Sequence, residues 1–349
     1  MRAGATVKIQ INARNGTHAY AVDSEDRLLH GGLCQGIGLP YECASGTCGT
    51  CKAKLVSGEL VDHWPDAPGR KYLKQEGEFL LCQCSAAGDL EIEVARPVNG
   101  VPAALPATMP GRITRTEKLT HDVMSIWIEL PREVQFEAGQ FALVRVPGID
   151  GYRGWSMVNF APATNVLEFV IKKKPGGAVS DWLFAADRAG TAVDVFGPIG
   201  HATFSADTEH DILCIAGGSG IAGMMSILTR AARDGYFDEH DGDVYFGVRT
   251  MRDAFFLDAF CRLREQCGVR LRVTVVFSDE TATSAFIDDY PLLAFDHGFV
   301  HEAAARGMAG RLQNIRAYLA GPPPAVDASV RLLLQARVSP ANIRYDKFS

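Results

Sequence analysis

The run Tyr41-Glu-Cys-Ala-Ser-Gly-Thr-Cys-Gly-Thr-Cys51 sets Cys43, Cys48 and Cys51 in a C-x4-C-x2-C arrangement, and Cys82 and Cys84 stand further along the chain. Three close thiols and one remote thiol give the ligand spacing of a plant-type 2Fe-2S centre, whose chemistry is the transfer of single electrons. The residues between the ligands, Ala44, Ser45, Gly46, Thr47, Gly49 and Thr50, are all small. Backbone N–H groups can therefore approach the bridging sulfides and no bulky side chain covers the metal, which puts one cluster edge near solvent. Zinc would accept the same thiolates, but zinc ribbons use two close C-x2-C pairs and only Cys48 and Cys51 stand in that relation. A disulfide framework is disfavoured too. Cys34, Cys84, Cys214, Cys261 and Cys267 are scattered among apolar residues of a long chain without a secretory signal, and read as small buried hydrophobes. Leu80-Leu-Cys-Gln-Cys84 offers Cys82 and Cys84 at strand-like alternation, so the spacing alone leaves the fourth ligand open between them.

Further along, Arg153-Gly-Trp-Ser156 combines a planar donor fork suited to a pyrophosphate with a hydroxyl at Ser156. Gly176-Gly-Ala-Val-Ser180 leads into a predicted helix whose first N–H groups can bind phosphate. Gly217-Gly-Ser-Gly220 follows a continuous apolar strand and precedes a helix, which is the context that makes a glycine pattern a credible dinucleotide site. Hydrolase arrangements are missing: there is no Gly-x-Ser-x-Gly elbow and no His-Glu-x-x-His, and the nine histidines are scattered.

These residues fall on three kinds of scaffold. Val7, Ile9 and Ile11 alternate, an Asn15-Gly16 turn follows, and a second strand runs near Ala19 to Val22; Asp23-Ser24 is expected to cap a short helix to Cys34. Strands at Lys52–Leu55 and Leu90–Val94 complete a small mixed sheet. From Val98 to Pro110 the chain is proline-spaced and uncharged, the composition of a semi-rigid connector. A β-rich segment follows, with alternation at Met124–Leu130 and Leu167–Ile171 and turns at Pro147-Gly148 and Pro162, and suggests an antiparallel barrel. The last segment alternates strand and helix: Ile212–Ala216, Ile221–Arg233, Val244–Val248, Ala254–Gln266, Val269–Phe277, Ile315–Leu319 and a helix to Arg337. That alternation predicts a doubly wound parallel sheet. The expected domains are 1–97, a linker 98–109, 110–206 and 207–349.

The chain has 349 residues, enough for two or three domains, and a net charge of −6 that argues against a nucleic-acid partner and suits docking to a basic patch on a protein. Hydrophobic residues at 47% and charged residues at 22% are ordinary for a soluble globular protein. The N-terminus lacks an apolar h-region, so the cytoplasm is the expected location. The apolar window Ile212–Leu228 contains four glycines, and a buried strand, turn and helix explain it better than a membrane span.

On these motifs, with Gly321-Pro-Pro323 near the end, the chain resembles bacterial oxygenase reductases of the ferredoxin-NADP reductase superfamily that carry an N-terminal ferredoxin module. Trp64-Pro-Asp-Ala-Pro-Gly69 and Tyr345-Asp-Lys-Phe348 are similar to segments of toluene-type di-iron monooxygenase reductases. The resemblance implies a β-grasp ferredoxin domain, an antiparallel β-barrel flavin domain and a doubly wound nucleotide-binding domain, together a multidomain α+β and α/β chain. It implies Cys82 as fourth ligand to the 2Fe-2S cluster beside Cys43, Cys48 and Cys51. It further implies FAD on Arg153, Trp155, Ser156, Gly177, Val179 and Ser180, with Phe196-Gly-Pro-Ile-Gly200 resembling the segment for the adenylate half. NADH is implied on Gly217, Gly218, Gly220, Gly321 and Pro322, with Ser156 and Phe348 at the reacting rings. The chain departs from the family at Gly223, where proline is common, at Ala320, where cysteine is common, and at Trp155, where tyrosine is common. The implied function is electron transfer from NADH through FAD and the cluster to a terminal oxygenase, a di-iron monooxygenase, by transient docking of a monomer. A Rieske dioxygenase as acceptor, or a flavin and iron-sulfur redox sensor without steady turnover, are the alternatives.

Overall fold

The computed structural model describes residues 5–100, 104–206 and 209–347. The first stretch contains β1 (Thr6–Ala13), β2 (Gly16–Asp23), α1 (Leu28–Cys34), β3 (Ile37–Gly38), β4 (Lys52–Ser57), β5 (Leu60–Asp62), β6 (Glu78–Leu80), β7 (Cys84–Ala86), β8 (Leu90–Val94) and β9 (Asn99–Gly100). The middle contains β10 (Ala107–Lys118), β11 (Val123–Val134), β12 (Phe141–Arg145), β13 (Arg153–Ser156), β14 (Thr164–Lys172), α2 (Ala178–Ala185) and β15 (Ala192–Ile199). The last stretch contains β16 (Asp211–Gly217), α3 (Ile221–Arg233), β17 (Gly242–Val248), α4 (Leu257–Cys267), β18 (Leu271–Phe277) and α5 (Ser284–Asp289). It ends with β19 (Ala294–His297), α6 (Val300–Gly307), β20 (Ile315–Gly321), α7 (Pro323–Gln335) and β21 (Ile343–Lys347). Two compact units result. One comprises Met1–Pro110, Ala142–Gly154 and Ala192–Ile199; the other comprises Gly111–Phe141, Trp155–Thr191 and Gly200–Ser349.

In the first unit a five-stranded sheet runs β2-β1-β8-β4-β6, with β1 antiparallel to β2 and parallel to β8. Val7, Ile9 and Ile11 point inward as their alternation requires, and Leu28, Leu29 and Leu33 of α1 are buried. The hairpin loop is Arg14-Asn15, one residue earlier than expected, because Ala13 pairs with Gly16. Asn15 is thereby released to clamp Val98, accepting from its N–H at 2.9 Å and donating to its carbonyl at 2.7 Å. Asn99–Gly100 then pairs with Ile37–Gly38, so the start of the expected connector is pinned to this unit. The expected Asp23 helix cap is not formed. Asp23 Oδ1 accepts from the Glu25 N–H at 3.0 Å and closes a turn, while α1 starts after Arg27 without a side-chain cap.

In the second unit β19-β18-β17-β16-β20-β21 form a parallel sheet. Cys214, Phe246 and Val275 face one core with Leu228 of α3 and Phe260 of α4; Leu213, Ile215 and Leu319 face the other with Ala303 of α6 and Leu333 of α7. Both faces are covered, as buried parallel strands demand. Val123, Val158 and Val170, from the antiparallel run β10-β11-β14 and its neighbourhood, join the core on the α3 side. The strand expected from Val269 begins at Leu271, because Val269 sits in a 3-10 turn at 82% exposure. The helix expected from Ala254 begins at Leu257, because a Thr250/Asp253 capping box closes a separate turn first. Of the cysteines expected to be buried, Cys84 and Cys214 are, whereas Cys34, Cys261 and Cys267 are only half-buried. No described helix is long and apolar enough to cross a membrane.

Candidate cluster and nucleotide sites

The loop from Tyr41 to Thr50 has no regular structure, and its backbone turns inward around sulfur. Cys43 Sγ accepts N–H groups from Ser45 at 3.5 Å, Thr47 at 3.4 Å and Cys48 at 3.3 Å, and Cys48 Sγ accepts from Cys43 at 3.5 Å and Thr50 at 3.4 Å. Ala44 holds φ +50°, a strained value for a non-glycine residue that is found at functional loops. The hydrogen bond from Cys48, with those from Thr47 and Ser45, pulls the Cys43 thiol down to about 4, and sharing that proton pushes Cys48 up. Cys51 and Cys82 are both buried with their sulfurs 3.2 Å apart, beyond the 2.05 Å of a disulfide bond. Their shared proton and their burial raise the Cys51 thiol. Gln83 Nε2 donates to Cys82 Sγ at 3.3 Å. Two pairs of sulfurs, one ringed by N–H donors, fit an anionic cluster that is stabilised by hydrogen bonds to thiolate. Cys84 belongs to β7, which pairs with β5, and burial pushes its thiol up to about 12.

On β13, Arg153 lies over the indole of Trp64, with Cζ 5.5 Å from the ring centre. Trp155 tilts against Phe169 at 5.9 Å, and Ser156 is buried. Near α2 the expectation divides by atom. Val179 is buried, and the Ser180 hydroxyl closes the turn, its one hydrogen shared between the carbonyls of Gly177 at 2.9 Å and Lys174 at 3.0 Å while its oxygen accepts from the Lys174 N–H at 3.1 Å. Neither side chain is free to hold a ligand, and the Gly177 N–H is taken by the Lys174 carbonyl at 2.9 Å, which leaves the backbone N–H groups from Ala178 on to meet phosphate. Phe196 is fully buried against His30, centroids 4.0 Å apart at 12°, and Tyr152 meets the same His30 edge-on at 5.3 Å.

The glycine turn fits a dinucleotide. β16 runs into a 3-10 turn at Gly218–Gly220 and then α3, and the strand order changes direction between β16 and β20, the switch point where α/β sheets bind ligands. Gly220 must be glycine, because a Cβ there would lie 2.6 Å from the carbonyl atoms of Ala320. Gly321 backs onto Gly217 in the same way, and Pro322 Cδ would stand 3.4 Å from a Gly217 Cβ. The structure thus brings Gly217, Gly218, Gly220, Gly321 and Pro322 together. One turn into α3, a Cβ on Gly223 would stand 3.4 Å from Ser156 Cβ and 3.6 Å from its Oγ. Ser156 therefore borders the helix that leaves the nucleotide turn. Phe348 lies outside the described residues.

Two features, His30 and Lys172, were missed from sequence. His30 is buried by aromatic stacking, for which a lone histidine gives no signal. Lys172, whose Cδ would lie 3.9 Å from a Gly218 Cβ, pairs with Asp122 at 3.3 Å near the nucleotide turn. Arg249, at the end of β17, is bound through Nε to Asp279 at 2.9 Å, and Asp279 also accepts the Ser278 hydroxyl at 2.6 Å.

Comparison with known proteins matches residues 11–87 to the 2Fe-2S iron-sulfur cluster binding domain, 110–204 to the oxidoreductase FAD-binding domain and 214–331 to the oxidoreductase NAD-binding domain. The ferredoxin--NAD(P)(+) reductase CarAd of Metapseudomonas resinovorans is 35% identical over 92% of this chain and 94% of its own length. The xylene/toluene monooxygenase electron transfer component XylA of Pseudomonas putida is 31% identical over 97% of this chain and 93% of its own. The solved structure of a ferredoxin reductase in carbazole 1,9a-dioxygenase superimposes with a TM-score of 0.84 at 33% identity, covering 99% of both chains.

Proposed function

This chain belongs to the ferredoxin-NAD(P)+ reductases that serve as electron-transfer components of multicomponent oxygenases, and from that premise we propose its electron donor, its acceptor and the residues that act. Its domains bind a 2Fe-2S cluster, FAD and NAD. When bound, the flavin takes an electron pair as hydride and gives electrons up singly to the one-electron cluster, from which they pass to the oxygenase.

Cys43, Cys48, Cys51 and Cys82 hold the iron. The Arg153 fork is assigned to a flavin phosphate; separately, the N–H groups of Ala178, Val179 and Ser180 offer donors to phosphate, Trp155 an aromatic face and Ser156 a hydroxyl to the flavin ring. Gly217, Gly218 and Gly220 let the dinucleotide approach the start of α3, with Gly321 and Pro322 walling the nicotinamide side. The observation that supports this reading is the nearness of Ser156 to Gly223, where an added Cβ would stand 3.4 Å from Ser156 Cβ, because Ser156, Gly223 and the glycine turn share one unit. Ala320 is buried at the end of β20 and holds the turn through its backbone, so a cysteine is not needed there to shape the site.

NADH is the donor. Of the two arginines after β17 that could meet a ribose 2'-phosphate, Arg249 and Arg252, the first is paired with Asp279 at the surface, and the similarity to oxygenase reductases favours NADH. A di-iron monooxygenase is the acceptor, reached by transient docking of a cytoplasmic monomer; a dioxygenase is the second reading, favoured by the similarity to the carbazole dioxygenase reductase. Steady-state reduction of cytochrome c by the purified protein tests the reading. kcat/KM for NADH is expected to exceed that for NADPH at least tenfold, and a single burst without turnover would overturn it in favour of a sensor.

A further inference from the structure

Arg153 carries the flavin phosphate contact proposed above, and its guanidinium is held from outside its own strand. Nη1 donates to the carbonyls of Asp150 at 3.3 Å and Tyr152 at 3.1 Å. Those bonds use both Nη1 hydrogens, and among the described residues no protein acceptor meets the three N–H donors of Nε and Nη2. The guanidinium carbon lies over the Trp64 ring, 5.5 Å from its centre. Gly151, at φ +78°, makes this possible: a Cβ there would lie 3.2 Å from Nη1 and 3.5 Å from the indole.

Trp64 is in turn fixed to the cluster module. Its N–H donates to Asp62 Oδ1 at 3.0 Å, and the other oxygen of Asp62 binds Arg70. The Gly69 N–H donates to the Gly46 carbonyl at 2.8 Å, and the Tyr72 ring packs where a Gly49 side chain would stand. Residues 62–72 thus reach from the loop of Cys43 to Cys51 across to the flavin arginine. A flexible arginine must lose rotamer freedom to grip a pyrophosphate, and a stacked ring removes that freedom beforehand.

We propose that Trp64 is a positioning residue for FAD: it orients the Arg153 fork, so that the iron-sulfur module itself sets how tightly the flavin is held. The proposal rests on the reading of Arg153 as the phosphate ligand. The test is titration of flavin-free full-length protein with FAD, followed by flavin fluorescence, for the wild type, Trp64→Ala, Trp64→Phe, Arg153→Ala and the double Trp64→Ala/Arg153→Ala variant. The visible and paramagnetic signals of the cluster serve as the folding control. Loss of a cation–π stack should weaken binding roughly 3- to 30-fold in Trp64→Ala, and Trp64→Phe should restore most of it. The double variant should bind no more weakly than Arg153→Ala, since Trp64 acts through that residue. Unchanged affinity in Trp64→Ala, or additive losses in the double variant, overturns the proposal while leaving Arg153 as a ligand. Unchanged affinity in Arg153→Ala overturns the reading of Arg153 as well. If Trp64→Ala fails to retain its cluster, Trp64→Leu is compared with Trp64→Phe, and equal affinities sink the idea.

Discussion

Cys82 and Cys84 are two residues apart and differ entirely in surroundings. Period-two alternation would turn both the same way only if a strand ran through them, but residues 81–83 form a turn between β6 and β7 and only Cys84 enters a strand. Cys82 is left beside Cys51, whereas Cys84 stays a buried thiol on β7. Cys82→Ser should therefore abolish the cluster absorbance and the low-temperature paramagnetic signal, while Cys84→Ser should keep both and lose about 1 kcal/mol of stability. Retention of the signal in Cys82→Ser would overturn the ligand set. The spacing that points to Cys43, Cys48 and Cys51 lies within one loop, whereas Cys82 came only from resemblance, because the turn that brings it and not Cys84 beside Cys51 is set by contacts that spacing does not encode. At Val179 and Ser180 the backbone N–H groups expected from the motif are what the fold leaves available, since the Val179 side chain is buried and the Ser180 hydroxyl closes the turn.

At the level of elements, α3 was legible with both its ends, because a buried strand, a glycine turn and a long apolar run leave a single solution. The short strands β5, β7, β19 and β21 were not, since each takes its identity from a partner elsewhere in the chain. α1 shows what such packing can require of one side chain. Its His30 is buried with no partner for Nε2 among the described residues, and burial, then the nearby Arg27 charge, lower its pKa to about 3. The folded state thus keeps His30 neutral while the unfolded chain titrates near 6.5, so the stability it contributes is complete above pH 6.5 and is lost as pH falls toward 3. Between pH 7 and pH 5 this costs about 2 kcal/mol. His30→Phe, which can keep the stack on Phe196, should flatten that slope, and urea midpoints of both proteins at the two pH values measure it. Equal slopes would show that His30 does not titrate on unfolding.

For the molecule as a whole, three consecutive domains with three redox partners predict that activities can be separated. Cys82→Ser, with FAD supplied in excess, should still oxidise NADH with ferricyanide, which flavin can reduce, at no less than half the normal rate. Its rate with cytochrome c should fall at least tenfold, because single electrons leave by way of the cluster. Comparable losses with both acceptors would mean that the cluster module is needed for hydride transfer itself. The order of the domains was legible from composition and motif; the division into compact units cuts through the strands of the middle segment instead, since the sequence reports which residues pair locally and not which neighbours share a core.

The 3.2 Å separation of the Cys51 and Cys82 sulfurs also bears on maintenance. Without iron, two thiols this close need move only about 1 Å to become a disulfide. Air oxidation of the iron-free protein is therefore expected to join Cys51 to Cys82, and peptide mapping before and after treatment with a thiol reductant checks it; free thiols at both positions after oxidation would refute it.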